Sequence, residues 1–213
     1  MEGMIVCIDG IDSAGKATQA RLLRESLDEK GIPVSVHSYP DYSSRYGKII
    51  SQHLFKKITL SVGELLLMFI ADMAKDMEAV KQELKRGNLV IMDRYFIDTV
   101  AYQTAGGLNY DDVKMAEKVI GLPPPSLVVY LDIPVAVSFE RTLKDKGEGD
   151  RHEADKAYLE KVGRVFDMLF EEKYTGAAWV KIDATMPVKE VHDKIVLAVA
   201  DHRERMAGKL NGQ

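Results

Sequence analysis

The chain has 213 residues, of which 46% are hydrophobic and 29% charged, so it can bury a substantial core within one globular unit spanning residues 1–213. Its net charge of −4 excludes a broad basic surface for nucleic acid and favours a small anionic substrate. No basic and apolar leader precedes the first pattern, and no apolar run approaches the roughly 18 residues of a membrane span, so we expect a cytoplasmic protein.

Strand-like and helical patterns alternate along the chain. Runs of β-branched and apolar residues predict five strands, at 4–8, 34–38, 89–92, 127–131 and 179–182. Helical spacing predicts helices over 16–30, 62–86, 111–120, 134–144, 154–172 and 187–206. This alternation is typical of an α/β fold in which helices cover both faces of a five-stranded parallel sheet. The single cysteine, Cys7, falls in the first strand, where we expect a buried and inert thiol.

The first predicted strand leads into a glycine-rich loop, residues 10–16, with the sequence Gly-Ile-Asp-Ser-Ala-Gly-Lys. Glycines at both ends let the backbone wrap around a polyphosphate, and the following helix directs its N-terminal amides at the anion. Lys16 adds a mobile positive charge. Such a loop can also be an ordinary turn, but the order of strand, loop and helix is the one that phosphate binding requires. This phosphate loop therefore predicts a nucleoside triphosphate site.

The phosphate loop departs from the usual pattern at one position. Ala17 stands where a serine or threonine normally follows the lysine, and Thr18 comes one residue late. A Mg²⁺ ion that accompanies the nucleotide must then be held by phosphates, water and carboxylates. We expect Asp93, which closes the third strand, to hold it, with Asp9 nearby as a second carboxylate.

The residue after Asp93 distinguishes between two kinds of phosphate chemistry. Hydrolytic ATPases often carry a second acid there to activate water, whereas this chain has Arg94, a cation that binds phosphate. The pair therefore favours phosphoryl transfer over hydrolysis. An ion pair at a strand end, without any catalytic role, is the alternative.

The longest predicted helix, 62–86, is apolar around much of its surface and ends before Gly87. A helix this long and apolar either crosses the core or contacts a second subunit. We therefore expect a homodimer.

With these motifs in place, the chain resembles the thymidylate kinase family of P-loop nucleoside monophosphate kinases over nearly all its length. Besides the phosphate loop, the resemblance is carried by Tyr39-Pro40-Asp41, Asp93-Arg94-Tyr95, Asp150-Arg151-His152-Glu153 and Ile182-Asp183-Ala184-Thr185. It implies Mg²⁺-dependent transfer of phosphate from ATP to dTMP, giving dTDP and ADP. The segment 144–153, with two glycines among charged residues, then resembles a mobile lid, the alternative being an ordinary solvated loop.

On the ATP side, the resemblance implies that Lys16 neutralises the β- and γ-phosphates. It also implies that Arg151 supplies the transition-state arginine from the lid, because Ser13 occupies the position where some members carry one. Arg141 is similar to the residue that stacks on adenine opposite the backbone of Ala184, although either could be a surface position. The implied ATP-binding set is Gly10, Ser13, Ala14, Gly15, Lys16, Ala17, Thr18, Arg141 and Ala184.

On the acceptor side, the resemblance implies that Arg94 clamps the monophosphate, that Asp12 contacts the sugar 3′-hydroxyl and that Phe69 stacks on the base. Asp12 has an alternative role in capping its own loop, and Phe69 has one as a core residue. Met73 stands where members usually carry an arginine that reads the base. Base selection then rests on Asp98, Thr99, Gln103 or water.

Two further positions differ from the family pattern. Tyr42 replaces an arginine that touches the acceptor phosphate, with Arg45 close enough to compensate. His152 replaces a tyrosine near the sugar 2′ position. Tyr95, in the Asp-Arg-Tyr motif, completes the implied acceptor set.

Two other functions stay open at this point. The residues at Met73 and His152 fit a kinase of the same fold with a shifted or relaxed acceptor, such as dUMP or another pyrimidine monophosphate. A regulatory P-loop switch is the third hypothesis, which the absence of an Asn-Lys-x-Asp guanine motif disfavours.

Overall fold

A computed structural model describes residues 3–147, 149–153 and 155–210, without the side chains of 146, 209 and 210. Glu148 of the predicted lid and Ala154, the first residue of a predicted helix, lie outside the described residues. The strands are Met4–Asp9 (β1), Val34–Ser38 (β2), Leu89–Asp93 (β3), Leu127–Asp132 (β4) and Ala178–Asp183 (β5). The helices are Lys16–Glu29 (α1), Arg45–Leu54 (α2), Val62–Ala74 (α3), Met77–Lys85 (α4), Phe96–Ala105 (α5), Tyr110–Ile120 (α6), Val135–Lys146 (α7), Lys156–Glu171 (α8) and Val188–Leu210 (α9).

The five strands form one parallel sheet in the order β2-β3-β1-β4-β5, which confirms the predicted α/β class. Strand β1 pairs with β3 on one side and with β4 on the other, so the chain crosses over at β1. Sheets of this type bind ligands in the crevice outside the carboxyl ends of such strands. Register brings Ile8 opposite Asp93, so the loops after β1 and β3 start side by side.

The core surrounds the central strands because helices cover both faces of the sheet. Every residue of β1 and β3 is buried, and the inner faces of α1, α5, α8 and α9 join them in one cluster. A second, smaller cluster of Ile50, Leu54 and Leu65 joins α2 to α3. Among the described residues, no helix combines the length and the apolar character that a membrane crossing requires.

Two of the predicted helices differ clearly from those of the structure. The prediction of one helix over 62–86 is wrong, because the chain is distorted at Lys75–Asp76 and forms α3 and α4. Asp76 accepts a hydrogen bond from the Tyr39 hydroxyl, and Lys75 binds Asp76, so side chains at the break are engaged by the loop after β2. Helix α7 continues to Lys146, into the predicted lid.

Helices α2 and α5 were not predicted from the sequence, for two different reasons. Helix α2 has only ten residues and carries a glycine at its third position. Helix α5 is buried over its first eight residues, so its sequence shows no alternation between an apolar and a polar face.

Gly47, in the first turn of α2, provides a test of the packing at this end of the fold. A Cβ atom there would overlap the carbonyl oxygen of Asp41, a backbone atom that cannot easily move aside. We expect Gly47→Ala to lower the free energy of unfolding by about 1 to 3 kcal/mol, the usual cost of overpacking, in urea denaturation.

The matched control is Gly63→Ala in α3, where nothing lies within 4 Å of an added Cβ. That substitution should leave the free energy of unfolding unchanged or raise it by up to about 1 kcal/mol. Equal effects of the two substitutions would contradict the close approach at Gly47.

Candidate active site

The phosphate loop has the backbone that a cradle for an anion needs. Gly10 has a φ of 146°, and a Cβ atom there would overlap the carbonyl oxygen of Leu131 on β4. Ser13 and Gly15 also have positive φ, and Gly15 leads directly into α1. The loop therefore wraps tightly around the N-terminus of α1, where amides and the helix dipole favour an anion.

Lys16 is buried and lies against its own loop. Its Nζ donates to the carbonyl oxygens of Gly10 at 2.5 Å and of Ile11 at 2.7 Å. Burial, together with the charge of Arg94, lowers the pKa of Lys16. A polyphosphate in the cradle would give this ammonium the anionic partner that the two carbonyls only partly replace.

Helix α7 supports the phosphate loop from the side. Ser138 Oγ donates to the carbonyl oxygen of Asp12 at 2.8 Å, and the hydroxyls of Thr142 and Ser13 are 2.8 Å apart. Neither Ser138 nor Thr142 was predicted, since a buried hydroxyl within a helix leaves no sequence pattern. They fix the loop to α7.

Arg141, also on α7, joins two predicted parts of the ATP site. Its guanidinium donates to the carbonyl oxygen of Ser13 at 3.3 Å and to that of Ala184 at 2.8 Å. The phosphate loop and the segment after β5 are thereby linked. Ala17 and Thr18 are exposed at the start of α1, while Ala14 is buried in the core.

Arg94 connects the phosphate loop to the loop after β3. Its backbone is left-handed, with a φ of 63°, and its guanidinium donates to Asp12 at 2.7 Å and to Asp98 at 3.2 Å. Asp12 and Arg94 are 82 residues apart in the sequence. The second predicted site is therefore in direct contact with the first.

The two carboxyl groups that contact Arg94 have pKa values shifted in opposite directions. Although burial opposes it, Arg94 and Lys16 hold the pKa of Asp12 well below its usual range. Burial raises the pKa of Asp98 in spite of the same two cations. Asp12 is therefore the carboxylate that Arg94 stabilises most strongly in its charged form.

A narrow cleft of about 70 Å³ opens beside Arg94 and is called the acceptor cleft here, after the residues predicted to bind the acceptor. Its lining includes Phe69 of α3 together with Pro40 and Tyr42. Four carboxyl groups contribute to the lining, against the single guanidinium of Arg94. The lining residues are Asp12, Pro40, Tyr42, Leu54, Phe69, Arg94, Asp98, Tyr102, Asp150, His152 and Glu153.

A side cavity of about 270 Å³ shares His152 with the acceptor cleft. Gln103 lines it, is almost fully buried, and has no hydrogen-bond partner for either amide atom. Tyr102, at the cleft, is also buried, and its hydroxyl interacts with the carboxylate of Asp12. Buried polar atoms normally have partners, so the unpaired amide of Gln103 fits a site that binds a polar ligand. The sequence did not predict Tyr102 as a site residue, because a buried tyrosine on a helix resembles a core residue.

Several predicted acceptor residues lie away from both cavities. Tyr95 is buried in the core, and its hydroxyl donates to the carbonyl oxygen of Pro123 at 3.1 Å. Met73 is also in the core, and Thr99 is buried within α5. Arg45 is exposed, with its guanidinium 4.9 Å from the centre of the Tyr46 ring. The structure therefore does not bring these four side chains to the cleft.

Arg151 lines the side cavity instead of the phosphate loop. Its Nε donates to the carbonyl oxygen of His53 at 3.2 Å, and its backbone N–H donates to that of Leu54 at 3.0 Å. Arg151 is therefore bound to the end of α2. A larger cavity of about 420 Å³, between α6 and the end of α8, contains no predicted site residue.

Two carboxyl groups lie at the ends of the central strands. Asp9 is fully buried, accepts a hydrogen bond from the Cys7 thiol at 2.8 Å, and has no partner for Oδ1. Burial raises the pKa of Asp9 to about 8. Asp93, on the adjacent strand β3, is buried as well.

Comparison with known proteins agrees with this geometry. The family model described as thymidylate kinase matches residues 8–195. The thymidylate kinase of Arabidopsis thaliana is 32% identical over 97% of this chain and 75% of its own length, and the human enzyme is 29% identical over 91% and 88%. The chain belongs to the thymidylate kinase family.

A solved structure shows that the fold is shared as well. Thymidylate kinase from Candida albicans superposes with a TM-score of 0.77, covering 95% of this chain and 93% of its own, at 23% identity. Thymidylate kinases are nucleoside monophosphate kinases, so membership makes the protein a phosphotransferase. The predicted family and enzyme class are confirmed.

The wall shared by the two cavities predicts a pH dependence of stability. Burial lowers the pKa of His152 to about 4, below the value of about 6.5 for an unfolded histidine. Between these values the unfolded chain binds a proton that the folded chain does not, so stability falls as the pH falls. We expect the wild-type protein to lose about 1 to 2 kcal/mol more than His152→Gln between about pH 7.5 and about pH 5.

Urea denaturation of both proteins at each pH measures this difference. Because the other histidines are present in both proteins, the comparison isolates His152. Equal pH dependence of the two proteins would show that His152 is not held neutral.

Proposed function

We propose that the protein transfers the γ-phosphate of ATP to dTMP, giving dTDP and ADP, as a cytoplasmic homodimer. The observation that carries this proposal is the 2.7 Å contact between Arg94 and Asp12. It joins the loop that would hold the donor to the arginine that would hold the acceptor. Phosphoryl transfer needs positioning and cations around the transferred group, and both are available at this point.

On the donor side, the phosphate loop would hold the triphosphate of ATP. Its set is Gly10, Ser13, Ala14, Gly15, Lys16, Ala17 and Thr18, with Lys16 on the β- and γ-phosphates. Arg141 would lie against the adenine, since its guanidinium already bridges the phosphate loop and Ala184. An arginine held in one plane by two carbonyls is suited to stacking.

Mg²⁺ fits the carboxyl groups at the ends of β1 and β3. Asp9 Oδ1 has no hydrogen-bond partner, and the pKa of Asp9 is raised. A neighbouring cation would pair with this oxygen and lower the pKa. Asp93 would be its companion, directly or through water, which accounts for Ala17 in the phosphate loop. When bound with ATP, the ion neutralises charge on the phosphates.

On the acceptor side, Arg94 would clamp the phosphate of dTMP, and Asp12 would accept a hydrogen bond from the sugar 3′-hydroxyl. Phe69 presents its ring at the cleft for the base. Gln103 would read the base edge, because an amide with both atoms unpaired matches the adjacent N–H and C=O groups of thymine. His152, between cleft and side cavity, would lie beside the sugar.

Lid closure would complete the site. Arg151 would leave the carbonyl oxygen of His53 and reach the phosphates from the segment after α7. Gly147, with a φ of 75°, ends α7 and is a suitable hinge. Closure would also exclude water from the transferred phosphoryl group.

The homodimer would form through α3 and α6. Leu67 on α3 is 60% exposed, and Met115 and Val119 on α6 are 57% and 78% exposed. The two helices are neighbours in the fold. Large apolar side chains on adjacent helices fit a subunit interface.

An acceptor panel tests the function directly. ADP release would be measured with dTMP, dUMP, UMP, dCMP and dGMP at saturating ATP and Mg²⁺. We expect dTMP to give the highest kcat/KM, because the chain belongs to the thymidylate kinase family. A higher value with dUMP or another pyrimidine would instead support a shifted or relaxed acceptor.

The two central cations provide a second test. We expect Lys16→Ala and Arg94→Ala each to lower kcat/KM by about 100-fold or more, because each removes a positive charge preorganised beside a phosphate. The matched control is Arg21→Ala, an exposed arginine paired with Glu25 on α1, which should change kcat/KM less than about twofold. Near-normal activity of either central variant would refute its assigned role.

A further inference from the structure

One buried carboxylate outside the cleft is held in an arrangement that the proposed roles do not use. Asp72 lies on α3 and has no solvent exposure. It is one helical turn beyond Phe69, whose ring lines the acceptor cleft. A charge buried this completely is costly unless polar partners surround it, so its partners indicate what it does.

The partners of Asp72 belong to a loop that lines the cleft together with Phe69. Residues 39–44, here called the acceptor loop, connect β2 to α2 and contribute Pro40 and Tyr42 to the lining. Asp72 Oδ2 accepts from the backbone N–H of Asp41 at 2.7 Å, and Oδ1 accepts from Ser44 Oγ at 2.5 Å. Both carboxylate oxygens are thus used on either side of Tyr42.

Lys75 supplies the positive charge for this contact. Its Nζ lies 3.5 Å from Asp72, 3.2 Å from Asp41 and 2.6 Å from Asp76. Asp76 in turn accepts from the Tyr39 hydroxyl at 3.1 Å. One lysine therefore ties α3 and α4 to the acceptor loop.

The rest of the acceptor loop is anchored at both ends. Tyr39 N–H donates to the carbonyl oxygen of Asp93 at 3.0 Å, next to Arg94. At the other end, Ser44 Oγ accepts from Gly47 N–H at 2.8 Å and caps α2. Between these anchors, the described contacts to α3 are those of Asp72 and Lys75.

We propose that Asp72 is a positioning residue for the acceptor: it sets the gap between the acceptor loop and Phe69 into which the acceptor nucleotide fits. The inference rests on the proposed function, because it assigns this gap to the acceptor. Asp72 touches neither donor nor acceptor. Its effect is on acceptor binding through Tyr42 and Pro40, and the phosphate loop is outside its contacts.

The test is Asp72→Asn, which keeps the side-chain shape but replaces one acceptor oxygen by a donor NH₂ and removes the charge. We expect KM for dTMP, and its Kd measured by calorimetry without ATP, to rise about tenfold, the effect of losing one hydrogen bond to a charged group. We expect kcat to stay within about threefold and KM for ATP to be unchanged.

The matched control is Asp167→Asn on α8, whose carboxylate pairs with Lys181 on β5, away from the acceptor loop. It should leave KM for dTMP within about twofold. Ser44→Ala removes one of the two bonds to Asp72 while keeping the carboxylate, and we expect a smaller rise in KM for dTMP. That variant carries the test if Asp72→Asn does not fold.

The outcomes separate this inference from the proposed function. Failure of the wild-type protein to phosphorylate dTMP refutes the proposed function, and the same comparison is then made with the best acceptor. Unchanged acceptor KM in Asp72→Asn, or an equal loss in KM for ATP and in kcat, overturns the positioning role. Equal effects of Asp72→Asn and Asp167→Asn would overturn it as well.

Discussion

The ion pair between Arg94 and Asp12 is the contact on which the site depends. It joins two loops that are remote in sequence but begin at adjacent strands, because β1 and β3 pair in parallel register. Arg94 makes it from a left-handed backbone, with a φ of 63°. Burial strengthens the attraction, and removal of one partner would leave the other charge buried without compensation. The strand order therefore fixes the distance between the phosphate loop and Arg94.

Some buried polar atoms of the site have no hydrogen-bond partner. They are Asp9 Oδ1 and both amide atoms of Gln103. A folded protein normally satisfies such atoms, so their presence at one edge of the sheet is a cost that ligands would offset. The cleft also contains more carboxyl groups than cations. Under the proposed function, a phosphate at Arg94 would compete with Asp98 for the guanidinium.

The break between α3 and α4 lies where these helices contact the acceptor loop. A continuous apolar pattern predicts one helix, but Lys75 and Asp76 at the break are bound to the loop after β2. Asp72, three residues before Lys75, accepts hydrogen bonds from Asp41 N–H and Ser44 Oγ of the same loop. Polar contacts to a distant segment thus outweigh the regular helical hydrogen bonds at one point. The same contacts define the space beside Phe69.

The sequence by itself determined the five parallel strands, the phosphate loop and the place of Arg94 at the end of the third strand, because these depend on local periodicity and on glycines that a tight loop requires. The family followed from the same motifs. Only the tertiary structure decided that Met73 and Tyr95 are core residues, that Arg151 contacts α2, and that the Gln103 amide stays unpaired. Local spacing indicates which side chains share a face of a helix. Which distant segment meets that face is set by strand order and by the packing of α2 and α3, and these contacts join residues far apart in the chain.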